Sequence, residues 1–115
     1  MTHRISAPGI SVEFLPRGGV LAGLELTDEG TASRPLHQAP WAPEEVPPDA
    51  PPHQRWLRGD FLAAPMGPGP DGLHGLAANG DWQVLPSDPG SLRAVLSGAV
   101  QGASCFGPAY EFIMI

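Results

Sequence analysis

Seven prolines crowd one stretch of the chain: Pro35, Pro40, Pro43, Pro47, Pro48, Pro51 and Pro52. A proline cannot donate to a sheet ladder and its ring clashes with the preceding helical turn, so residues 35–55 are predicted as loop. Glycine and proline contribute 15 residues each of 115, a density at which disorder competes with folding. Leu, Ile, Val and Phe nevertheless number 26, slightly above the fraction below which a chain fails to build a core. They come in short runs. One small domain over residues 1–115 is expected, with a marginal core and many turns.

Outside the loop the apolar spacing is that of strands. Ile10, Val12 and Phe14 alternate with Ser11 and Glu13, the period-2 signature of a half-buried strand. Pro16-Arg17-Gly18-Gly19 supplies turn chemistry, and Val20, Ala22, Leu24 and Leu26 resume the alternation. An antiparallel hairpin is predicted here, ending at Thr27-Asp28-Glu29-Gly30. Further strands are predicted over 56–64, 81–85 and 92–99, with a Gly/Pro loop over 65–73 and a turn at Pro86-Ser87-Asp88-Pro89-Gly90. No segment sustains helical spacing, so the fold class is all-β and antiparallel, with essentially no helix. The apolar run Tyr110-Glu111-Phe112-Ile113-Met114-Ile115 reads as a strand needing a partner, and self-association through it is an expectation.

Charge narrows the function classes. The formal net charge is −6, and the six basic residues are arginines dispersed at 4, 17, 34, 55, 58 and 93. Nucleic acid requires clustered cations to displace counterions, and an anionic membrane requires a basic patch; neither is present. A neutral small ligand suits this chain better. Cys105 is the sole cysteine, which rules out an intramolecular disulfide and a cysteine metal cluster. His3, His37, His53 and His74 lack metal-ligand spacing, and no cofactor is implied. With neither a signal-peptide pattern nor a membrane-length apolar run, a cytoplasmic location is expected.

The most informative stretch is Leu57-Arg58-Gly59-Asp60-Phe61, followed by the Gly/Pro loop and then Leu73-His74-Gly75-Leu76-Ala77-Ala78-Asn79-Gly80-Asp81-Trp82. An Arg-Gly entry to a strand, a Gly/Pro loop, a His-Gly pair and a Trp opening the next strand resemble the aldose 1-epimerase (galactose mutarotase-like) family. Gly18-Gly19 after a strand and Pro35-Leu36-His37 leading to Ala39-Pro40-Trp41 fit that family's opening. The resemblance covers residues 10–100 and rests on the order of the pieces. It implies an incomplete mutarotase-like β-sandwich that binds an aldohexose in a groove across one sheet. In that family a carboxylate base and a histidine acid open the sugar ring and reclose it as the other anomer. The resemblance implies that Arg58 holds sugar hydroxyls, that His74 is the catalytic donor near the ring oxygen, and that Trp41 or Trp82 stacks on the sugar. The family's second histidine and its carboxylate have no match here, so sugar binding without completed epimerisation is expected.

Plainer readings stand beside these. Arg58 is two residues from Asp60, close enough for a surface ion pair. His74 has a structural alternative in bonding a loop carbonyl, and Trp41, Trp56 and Trp82 an alternative as core residues. The Arg58-Gly59-Asp60 tripeptide matches an adhesion signal by its letters alone. A non-catalytic sugar-binding module and an inactive truncated gene product are the alternatives to an isomerase.

Overall fold

The first strand is not legible in the sequence, because Ile5 and Ala7 are too few to establish an apolar alternation. In the computed structural model, which describes residues 2–50, 57–99 and 109–114, β1 (His3–Ala7) turns back into β2 (Ile10–Leu15). The predicted hairpin follows, with Gly18 and Gly19 turning the chain into β3 (Val20–Asp28). The chain does not leave the sheet at residues 27–30. Glu29-Gly30 makes the third turn of the sheet, into β4 (Thr31–Ser33), completing an antiparallel sheet in the order β1-β2-β3-β4.

One irregularity changes which side chains this sheet buries. Glu13 pairs with Ala22 and Ser11 with Glu25, so β3 carries one residue more than β2 between those pairs. Gly23, at φ 57, lies in that bulge. Paired residues share a face, so Leu26 joins Ile10, while Val20 and Ala22 lie on the face of Leu15 and Glu13. The predicted single apolar face of Val20, Ala22, Leu24 and Leu26 is therefore split. A bulge inverts the parity of a strand. Ile10 and Leu26 pair beyond the core and are 45% and 39% exposed.

The loop prediction holds over the described part of 35–55, apart from a 3-10 turn at Pro43–Glu45. Residues 51–56, with His53 and Trp56, and Cys105 lie outside the described residues. No strand forms over the described residues of 56–64. Arg58 makes a single bridge to Gln38 and Asp60 one to Leu21, because Gly59 at φ 71 turns the chain between them. The loop at 65–73 holds a minimal hairpin, β5 (Pro68–Gly69) and β6 (Gly72–Leu73).

One short helix, α1 (Gly75–Asn79), is set among the strands, in keeping with a chain expected to hold essentially no helix. Five residues are too few to display a helical period in sequence. The Asn79 amide braces the helix by donating to the Leu73 and Gly75 carbonyls at 2.7 Å each, and Ala77 and Ala78 are buried. Beyond it, β7 (Gln83–Leu85), β8 (Arg93–Ala99) and β9 (Ala109–Met114) form an antiparallel meander. The predicted strands at 81–85 and 92–99 are these, with β7 shortened because Asp81 and Trp82 are tied to the turn after β2.

The core joins the two sheets. Phe14 from β2, Ala77 from α1, Trp82, Leu92, and Ala94 and Leu96 from β8 form one buried cluster, with Ile5, Leu21, Leu76 and Val84 against it. Phe14 is fully buried, which stabilises the fold by about 2–3 kcal/mol relative to exposure. Much of the remaining core is alanine, as a chain so rich in glycine and proline implies. The architecture is all-β, antiparallel, with almost no helix.

Candidate functional site

Segment 57–62 is the spine on which the sequence-predicted residues hang. It is fastened to the proline-rich loop by Ala39 N–H donating to the Leu57 carbonyl at 2.9 Å and Gly59 N–H donating to the His37 carbonyl at 2.7 Å. On its other side Leu21 and Asp60 exchange two backbone hydrogen bonds, both 2.8 Å. Gly59 is obligatory between these attachments, since a Cβ there would lie 1.8 Å from the Leu21 carbonyl oxygen.

Arg58 and Trp41 are brought together. One guanidinium nitrogen of Arg58 donates to the Trp41 carbonyl at 2.9 Å, and the Trp41 side of this pair is 36% exposed. Arg58 Nε is buried without a hydrogen-bond partner among the described residues. The alternative ion pair with Asp60 does not form, whereas Arg17 pairs with Asp81 and Arg34 with Glu25.

His74 is held differently. It adopts φ 67 and ψ 12, immediately before α1. A non-glycine residue in this region is uncommon and carries strain of order 1 kcal/mol or more. Its backbone is fixed from both sides, the N–H donating to the Gly67 carbonyl at 2.8 Å and the carbonyl accepting from Ala64 N–H at 3.0 Å. Its ring lies 5.9 Å from that of Phe61, tilted by 49°. His74 is thus anchored to the same spine as Arg58, through Phe61. A cavity of about 210 Å³ opens beside Phe61, lined also by Gly19, Leu21, Asp60 and Leu62.

Trp82 is the outlier of the predicted set. It is 4% exposed, its indole N–H donates to the Ala77 carbonyl at 2.9 Å, and it packs over Gly19, where a Cβ would meet the ring at 2.4 Å. Burial and a satisfied donor make it first a core residue, with an edge on a second cavity. That cavity, about 440 Å³, is lined by His3, Leu15, Pro16, Arg17, Asp81, Trp82 and Val84. The pairing of Arg17 with Asp81 is not legible in the sequence, because each reads alone as a solvated charge and they are 64 residues apart. The one signal was that each sits in a glycine turn, Arg17-Gly18-Gly19 and Asn79-Gly80-Asp81.

Among the described residues no group of three or more His, Cys, Asp or Glu could hold a metal ion, and no helix is long and apolar enough to cross a membrane. No family model matches this chain, and no solved structure matches it.

Proposed function

We propose that this chain is a sugar-binding domain of the aldose 1-epimerase-like type, built on a mutarotase-like β-sandwich, that takes a neutral aldohexose without completing its epimerisation. The observation that carries the reading is the Arg58–Trp41 contact, in which a guanidinium nitrogen donates to the backbone carbonyl of a tryptophan that is 36% exposed. Fixed donors take sugar hydroxyls while an aromatic surface takes the apolar C–H face. The strained backbone of His74, tied to the same segment through Phe61, supports a donor role for it at the rim. Trp82 is left a secondary role. Ring opening needs an acid and a base on opposite sides of one sugar ring, and the residues that carry the resemblance supply the acid alone. A sugar-binding module is therefore favoured over an isomerase. The acidic chain and single cysteine suit a cytoplasmic setting. Self-association through β9 is supported by its place at an edge of its sheet.

The test is titration of the chain with galactose and glucose, followed by calorimetry or by NMR. Arg58→Ala and His74→Ala should each weaken binding several-fold, the effect of losing a hydrogen bond to a neutral sugar worth about 1 kcal/mol, while His53→Ala should not. Mutarotation of fresh α-galactose, followed by polarimetry, should run at the buffer rate. Equal affinity in the wild type and the Arg58/His74 double variant removes the assignment of the site.

A further inference from the structure

We infer that the cleft beneath the Arg17–Asp81 ion pair is a second carbohydrate subsite, shaped for a single neutral pyranose ring. The ligand class rests on the sugar reading above; the location does not. The cavity, about 440 Å³, falls within the roughly 300–1,000 Å³ typical of small-molecule sites. Its wall is apolar where Leu15, Pro16, Val84 and the edge of Trp82 meet, and its polar groups are His3, Arg17 and Asp81.

The ion pair itself argues for a ligand. Arg17 donates to one carboxylate oxygen of Asp81 at 3.0 Å, with the side chains 49% and 74% exposed. Pairs this exposed contribute little to stability. The two turns that carry them are already fastened by backbone bonds: Gly18 N–H to the Gly80 carbonyl at 2.8 Å, and Trp82 N–H to the Pro16 carbonyl at 2.9 Å. Holding the turns together therefore does not require the charges. Their shared contact is single, from one guanidinium nitrogen to one carboxylate oxygen, which leaves Arg17 donors and an Asp81 acceptor for other groups. A donor set next to an acceptor matches vicinal hydroxyls, each of which both donates and accepts. A simple anion would meet Asp81, and a simple cation would meet Arg17; a neutral polyol meets neither penalty. The apolar wall then takes the C–H face of the ring.

The experiment is a titration of the full chain with methyl β-galactopyranoside and methyl β-glucopyranoside, followed by two-dimensional amide and indole NMR. Saturable shifts are expected at Arg17, Asp81, Val84 and the Trp82 indole. The combined Arg17→Gln and Asp81→Asn variant, which removes both charges and keeps polar side chains, should weaken the interaction that moves these signals by about tenfold. Shifts confined to Trp41, Arg58 and Phe61, abolished by Arg58→Ala but unchanged in the Arg17/Asp81 variant, overturn this subsite while leaving the Arg58 site standing. Absence of any saturable shift overturns both. The wild-type shift map decides the location even where a variant folds poorly.

Discussion

Gly59→Ala is the substitution that most directly tests how segment 57–62 is held. The new Cβ would lie 1.8 Å from the Leu21 carbonyl oxygen and 2.7 Å from its carbon. Ordinary contact begins near 3.4 Å, and the obstructing atoms are backbone within a sheet, so no rotamer change relieves the clash. The segment must move away from β3, and the two 2.8 Å hydrogen bonds between Leu21 and Asp60 are the first to go. Each is worth about 1 kcal/mol net. Alanine at φ 71 adds about 1–2 kcal/mol of left-handed strain. The expected loss is about 3–4 kcal/mol, a large part of the roughly 5–15 kcal/mol that holds a small domain. Urea titration monitored by tryptophan fluorescence, with a thermal melt by circular dichroism, measures it directly. The control is Gly90→Ala, where a Cβ meets nothing within 4 Å and the change should stay within about 0.5 kcal/mol. If Gly59→Ala is as mild as that control, the backbone attachment of the segment to β3 is wrong, and with it the positioning of Arg58.

Two further outcomes follow from the core. Phe14→Ala, at a fully buried position between the sheets, should destabilise by about 3–5 kcal/mol in the same urea titration. Trp82→Phe removes the buried indole bond to the Ala77 carbonyl and should cost about 1–3 kcal/mol, because that carbonyl loses its donor; the thermal melt would report it as a clear fall in Tm.

The hairpin at 10–28 was legible because β2 alternates without interruption and because Gly18 and Gly19 sit where the turn needs them. Burial along β3 was not, since the extra residue beside Gly23 inverts the strand's parity without leaving a gap in the apolar pattern. β8 was legible for the opposite reason: Leu92, Ala94 and Leu96 keep one parity and are all buried. The run at 56–64 looked like a strand because it is apolar. In the structure its described residues pair with two different partners, one on each side of Gly59, and neither pairing grows into a ladder. The helix at 75–79 escaped because five residues are too short to display a helical period, and its buried face is only Ala77 and Ala78.

The candidate sites show a sharper version of the same limit. Arg58 and Trp41 were named separately, on a strand and in a loop, and the bond between them depends on the proline-rich loop lying along segment 57–60. That juxtaposition follows from backbone bonds at His37 and Ala39, which composition cannot reveal. Trp82 was named for its ring, yet its ring is what the turn at Gly18-Gly19 packs against. The same packing draws residue 17 to residue 81 and makes the cleft between them. A tryptophan can thus shape a candidate ligand site by its bulk in the core while offering that site only an edge. The charges that would read a ligand then come from the turns it holds in place, Arg17 on one side and Asp81 on the other.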